Sequence, residues 1–288
     1  MMPLVLLMIA NIVWGIGFSC TKLALQELAA PNFLLLRFSM ASAAMLPGLL
    51  FFKKHSLRKR DFVDGARLGL AIAALNGLQT LGLQTITAST SAFLSGFSIV
   101  FVLLIRCVTR KSWPNSKDLL ATLVCVLGLG LITGRQGCYL SVGVAYTLFA
   151  AFFSGLHTYA MSKYAMRSNA FLLATAQMWT LTIFSALVAL SYKPLTLPAK
   201  PITWACIVFC SLPCAAFGYW AQAYFQKRSG ALEAAVLMML EMVFASIFSC
   251  VWLGEQLNLS FYLGAAMILA GSTFITLHAK RLSQQSVH

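Results

Sequence analysis

Ten runs of mostly apolar residues, most of them about 20 long, follow one another from Leu4 to His278 with only loops between them. A helix of that length spans the hydrocarbon core of a bilayer. In lipid the backbone has no water to bond, so only helices and closed barrels cross, and barrel strands would read as short alternating stretches. The pattern predicts an all-α membrane protein of ten transmembrane helices. The expected spans are Leu4–Leu25, Pro31–Phe52, Gly65–Thr85, Thr87–Val108 and Leu119–Thr133, then Leu140–Tyr159, Ala170–Ser191, Ile202–Phe225, Ala231–Leu253 and Leu259–His278. The first run has no basic residue before Lys22 and no clean small-residue cleavage site, so it reads as a span rather than a signal peptide.

Composition agrees. Of 288 residues, 60% are hydrophobic and 10% charged, against about 45–50% and 25% in a soluble domain. A soluble enzyme, a disordered chain and a disulfide scaffold are thereby excluded. The net charge of +14 sits in the loops. With both termini inside, sixteen of the 21 lysines and arginines fall on the cytoplasmic side, among them Lys53, Lys54, Arg167 and Arg228. Arg135, Lys193 and Lys200 fall outside, and Lys22 and Arg37 lie within spans. This positive-inside bias predicts an N-in/C-in topology. No basic face is left over for nucleic acid. The eight cysteines form no CxxC and no Cys/His cluster, so no metal or other cofactor is expected.

The chain repeats itself. An offset of 143 residues puts Ser98 on Glu241, Gln79 on Gln222, Asn76 on Tyr219, Ala92 on Ala235 and Phe101 on Phe244. An offset of 140 sets Trp14-Gly15 against Ser154-Gly155. Five spans per unit is an odd number, so the second unit must be inverted relative to the first. The expected units are residues 1–135 and 136–288, a pair of inverted five-helix repeats. Such repeats recur in secondary transporters, with the substrate held at mid-membrane between them.

Several stretches carry a family resemblance. Gly82–Leu94 (GLQTITASTSAFL), Ala231–Ala245 (ALEAAVLMMLEMVFA), Leu253-Gly254-Glu255 and Leu263–Gly271 resemble EamA-type permeases of the drug/metabolite transporter superfamily. Trp14-Gly15 and Arg37-Phe38 resemble the signatures of the family's first two helices. The resemblance spans nearly the whole chain and implies two tandem five-helix units and metabolite transport. Two features depart from it. Ile99 and Met242 stand where the family often has a mid-helix proline, and Lys111-Ser112 stand where the first half would carry Gly-Glu.

Polar residues within apolar runs are the candidate site. Glu241 lies near the middle of the ninth run, where a carboxylate costs about 2.5–3.5 kcal/mol on insertion scales. It must be protonated, paired, or facing a wet cavity, which makes it a candidate for substrate-amine binding and proton coupling. Asn76 and Gln79 share a helix face, as do Tyr219 and Gln222. Ser91, Ser95 and Ser98 form a stripe. Trp14 and Trp220 are candidate pocket walls. These polar groups can equally bind helix to helix. Arg37 has three readings: snorkelling outward, holding a substrate carboxylate, or pairing with Glu27. His157 reads as a packing histidine, Glu255 as a cap, and the Cys206/Cys210/Cys214 stripe as close packing. The expected cavity is walled by the first, third, fourth, sixth, eighth and ninth spans, with the fifth and tenth peripheral.

The chain lacks GxxxxGK[ST], HExxH and GxSxG motifs, which argues against an ATP-driven pump and an intramembrane enzyme. The expectation is a secondary transporter in the cytoplasmic (inner) membrane of a bacterium. Its partners are a small-molecule substrate, the lipid bilayer and protons as coupling ion, and the expected assembly is a monomer or weak dimer. An amino acid or amino-acid-like compound fits an interior with one acid, several amides and few buried cations. An S-adenosylmethionine or nucleotide-type exchanger and a lipid-handling scaffold are the alternatives.

Overall fold

The computed structural model describes residues 2–50, 58–111, 116–134, 141–192 and 195–285. Lys53, Lys54, Ser112, Arg135 and Lys193, the division at 135/136, and the ends of the second and sixth expected spans at Phe52 and Leu140 lie outside these residues. Among the described residues the chain is entirely helical: α1 Met2–Ala24, α2 Ala30–Leu50, α3 Lys59–Thr85, α4 Ala88–Ser95, α5 Ser98–Arg110, α6 Ser116–Gly134, α7 Val142–Ala165, α8 Ala170–Ser191, α9 Pro201–Phe209, a π-helical segment Cys210–Phe217, α10 Gly218–Gln226, α11 Ala231–Met238, α12 Leu240–Leu253 and α13 Leu259–Gln285. Five rods are long and apolar enough to cross a membrane: α1, α2, Ala88–Thr109, α8 and Pro201–Gln226. Their outward faces carry large apolar side chains, with Val108 at 77% and Leu187 at 64% exposure.

The seventh and ninth expected spans match the helical limits, Ala170–Ser191 and Ala231–Leu253. Others run on past their apolar cores. α3 begins at Lys59, because Asp61 and Asp64 are buried rather than solvated. α13 extends to Gln285, beyond the expected His278.

Two rods break without the mid-helix proline that the resemblance implied. α4 gives way to α5 at Gly96 and Phe97, and α11 to α12 at Met239; all three residues keep right-handed helical dihedrals, so the rods bend rather than turn back. Gly96 and Met239 are themselves related by the 143-residue offset. The proline inside a helix of the second half is instead Pro213. It has no N–H, and a backbone without that donor leaves the α register. Residues Cys210–Phe217 accordingly form the π segment.

Contacts between the halves follow the repeat. A Cβ on Gly15 would lie 2.7–2.9 Å from Phe244 Cβ, the Ala245 nitrogen and the Glu241 carbonyl. A Cβ on Gly155 would lie 2.8–3.2 Å from Phe101 Cβ, the Ser98 carbonyl and the Val102 nitrogen. The second set is the first one shifted by one repeat, so α1 meets α12 as α7 meets α5. Such glycines let helix backbones approach closely where lipid offers no hydrophobic drive. α6 and α13 pair in the same reciprocal way, Gly128 against Gly264 and Ile268, Gly271 against Ala121 and Cys125.

The loops are clamped by reversed chemistry. Glu27, between α1 and α2, accepts from the Ala199 and Lys200 nitrogens and the Thr203 hydroxyl, at the start of α9. Its counterpart in the other half, Arg167, grips Asp64 near the start of α3 through Nε (2.9 Å) and Nη2 (2.7 Å). Gly254 takes the left-handed conformation (φ 65°) that ends α12. Glu255 then meets α4, accepting from the Ala88 and Ser89 nitrogens and the Ser89 hydroxyl. A carboxylate there satisfies helix-end donors and opposes the helix dipole.

Candidate functional site

The offset pairs named from the sequence converge between the halves. Asn76 on α3 donates through Nδ2 to the Ile72 carbonyl and to Tyr219 Oη on α10, both at 3.0 Å. One turn along, Gln79 Nε2 donates to Ser95 Oγ at 2.8 Å, and Ser95 in turn to the Ser91 carbonyl at 2.9 Å. Gln222, three residues after Tyr219 and on the same helix face, reaches Met238 Sδ at 3.7 Å. Trp14 lies against Tyr219, with ring centroids 5.8 Å apart, and its indole N–H donates to the Cys214 carbonyl at 2.7 Å.

These residues border a cavity of about 90 Å³. Trp14, Asn76, Gln79, Ser95, Ser98, Tyr219, Gln222 and Glu241 all line it. Trp220 does not. Its ring packs on Phe217 and stacks on Tyr224, at 5.9 and 5.7 Å. The reason is helical geometry: neighbours in a helix point about 100° apart, so Trp220 and Tyr219 cannot share a face. The walls come from the six expected spans and also from α2, through Arg37, while α6 and α13 contribute none of the lining.

Arg37 and His157 acquire definite places. Arg37 is only 9% exposed, so it does not snorkel to the surface. Nor does it pair with Glu27, whose acceptors are taken up at the start of α9. Arg37 Nε donates to the Cys210 carbonyl at 3.2 Å, and the side chain borders the cavity. The π segment therefore orients two cavity residues, Arg37 through Cys210 and Trp14 through Cys214. His157 also lines the cavity, edge-on to Tyr219. Gln177 gives its amide N–H to the Leu173 carbonyl, so its oxygen accepts from His157 Nε2 at 2.9 Å. An acceptor at that position calls for the proton on Nε2.

Glu241 is the outlier. It opens α12 and borders the cavity, and its carboxylate makes no hydrogen bond or ion pair with the described residues. Cys206, Cys210 and Cys214 are buried; Cys214 Sγ reaches the Val13 carbonyl at 3.3 Å, which is packing against α1. No metal-competent cluster occurs among the described residues. Sequence reasoning missed the π segment and the contribution of α2. Pro213 within an apolar run was the available signal for the first, and a lone arginine within a span for the second.

The EamA-like transporter family matches residues 1–134 and 141–277. The chain is 28% identical over 275 residues to an uncharacterized transporter of Archaeoglobus fulgidus, covering 94% of this chain and 84% of that one. It is 23% identical over 277 residues to the uncharacterized transporter YdfC of Bacillus subtilis, covering 94% and 90%. A solved crystal structure shares the fold with a TM-score of 0.73 at 14% identity, over 97% of this chain and 98% of the other.

Proposed function

The chain belongs to the EamA-like transporter family, and from that premise we propose that this multi-pass membrane transporter is a secondary carrier of an amino acid or amino-acid-like metabolite across the cytoplasmic membrane. The observation that carries the reading is the Glu241 carboxylate, which faces the cavity without a hydrogen-bond partner. An unpaired carboxylate in the middle of a membrane span is costly unless something fills the gap. A substrate ammonium does so when cargo is bound, and a proton does so when the site is empty. The two compete for one carboxylate, which is the minimum needed for exchange.

Ten spans in two inverted units, divided near residue 135 and with both termini inside, supply the mechanism. The reciprocal glycine contacts of α1 on α12 and α7 on α5 support it, because equivalent interfaces on either side let one half rock against the other. The test is uptake of radiolabelled amino acids by proteoliposomes holding the wild type or Glu241→Gln. Gradient-driven uptake that is reduced and made insensitive to pH by the substitution supports the reading. Full, pH-sensitive uptake by Glu241→Gln overturns the role of Glu241.

A further inference from the structure

We propose that Arg37 is the carboxylate-binding residue of the cavity, so that the site selects molecules carrying an ammonium and a carboxylate together. This rests on the transport reading above and sharpens it. Arg37 and Glu241 border the same cavity, yet they form no ion pair within 4.0 Å. Arg37 spends Nε on the Cys210 carbonyl, and its terminal guanidinium nitrogens make no hydrogen bond with the described residues. A guanidinium held by one nitrogen keeps its outer N–H pair for a carboxylate, which it binds in fork geometry. The tether comes from the π segment, where Arg37 meets backbone rather than an acid.

Arg37 is buried and Glu241 half-buried at the cavity, and an ionic group there is expensive while its counter-charge is missing. A zwitterion supplies both partners at once. An amine without a carboxylate leaves Arg37 unpaired, and a carboxylic acid without an amine leaves Glu241 unpaired. Sites built around polar partners reject analogues that lack them far more strongly than apolar pockets reject a missing methylene. Asn76, Tyr219 and Gln79 are already engaged with one another or with Ser95, so they shape the site without replacing either charge.

The experiment uses the purified full-length protein in detergent. The common L-α-amino acids are screened by thermal stabilisation. The strongest stabiliser is then compared with its methyl ester, its decarboxylated amine and its deaminated acid. Wild type should prefer the amino acid over the ester and the amine by at least about tenfold in Kd. Arg37→Met should bind amino acid and ester alike, with the penalty against the deaminated acid retained. Arg37→Lys, which keeps the charge, should recover part of the discrimination and controls for folding. Wild type that binds ester and acid equally overturns this assignment and leaves the transport reading intact. Arg37→Lys that folds as wild type but recovers no discrimination over Arg37→Met also counts against it. Stabilisation by no amino acid at all defeats the amino-acid reading and this inference with it.

Discussion

Asn76 and Tyr219 lie 143 positions apart in the chain and hydrogen-bond at 3.0 Å. That separation is the repeat offset itself, so each residue touches its own counterpart, as happens only on an axis of two-fold symmetry. A second such contact, Cys125 Sγ to the Ile268 carbonyl at 3.7 Å, has the same separation and joins α6 to α13. The axis passes through the cavity at one of these contacts and through a pair of helices outside the cavity at the other. The cavity thus sits where the halves meet as equals, the place that the proposed rocking of one half against the other requires.

The Asn76–Tyr219 bond should be measurable as a coupling. Asn76→Ala, Tyr219→Phe and the double variant form a cycle in which an interhelical bond within a membrane is worth about 0.6 kcal/mol, with an upper end near 1.7. Reversible unfolding in mixed micelles reads it. Strict additivity of the two substitutions would show that the bond contributes nothing.

Close approach of the halves predicts matched sensitivity at Gly15 and Gly155. Alanine at either meets backbone atoms within 2.9 Å, and backbone cannot swing away as a side-chain end can. Each substitution should cost about 1–3 kcal/mol and lower the Tm. Gly130, where a Cβ meets nothing within 4 Å, should tolerate alanine or gain slightly from its better helix propensity. Thermal unfolding of the three variants, with Gly15→Ala indistinguishable from Gly130→Ala, is the outcome that defeats the packing argument.

Much of this was legible in the chain. Apolar length alone gave the limits of Ala170–Ser191 and Ala231–Leu253, and the offset singled out Asn76 with Tyr219 before any contact was known. Side-chain direction was legible only where a face was shared. Tyr219 with Gln222 was a sound pair, whereas adding Trp220 disregarded the turn between neighbours. Arg37 was legible only as three open readings, because its partner is a carbonyl 173 positions away, in a change of helix register that no hydropathy pattern encodes. The bends at Gly96 and Met239 were hidden for a related reason: the mid-helix proline that the resemblance implied was absent while the bends remained.

Glu27 predicts an acid limb in stability. The Thr203 hydroxyl, and then the Ala199 and Lys200 nitrogens, favour its charged form and hold its carboxyl below the usual range. A depressed carboxylate contributes stability that is complete above the unfolded-state pKa and is lost as pH falls through the folded one. Wild type should therefore lose stability on acidification below the ordinary glutamate range, and Glu27→Gln should show less of that loss. Thr203→Val should move the titration back upward. Tm measured against pH for the three proteins tests it, and identical acid limbs would refute it.

Orientation is open to direct measurement. Both termini inside requires that a reporter fused after His288 and one placed within the Lys193–Lys200 loop lie on opposite faces of the membrane. Alkaline phosphatase and green fluorescent protein fusions at the two positions should give opposite patterns. The same side for both would dismantle the ten-span arrangement.

Pro213 should matter more for activity than for stability. Its missing N–H opens the π register, and the segment it opens offers the Cys210 carbonyl to Arg37 and the Cys214 carbonyl to Trp14. Proline inside a helix costs about 3 kcal/mol relative to alanine, so Pro213→Ala removes a penalty. If the segment then closes to an α-helix, one residue of register is lost, and α10 turns by about 100° relative to α9. Tyr219 and Gln222 would leave the cavity face, and both tethered side chains would lose their acceptors. The expected result is a Tm close to wild type, because the proline penalty removed offsets the hydrogen bonds lost, together with transport reduced by at least about tenfold. Uptake rate and Tm measured on the same preparation separate the two effects. Wild-type uptake in Pro213→Ala would mean that the π segment is held by packing alone and is not the element that sets Arg37 and Trp14.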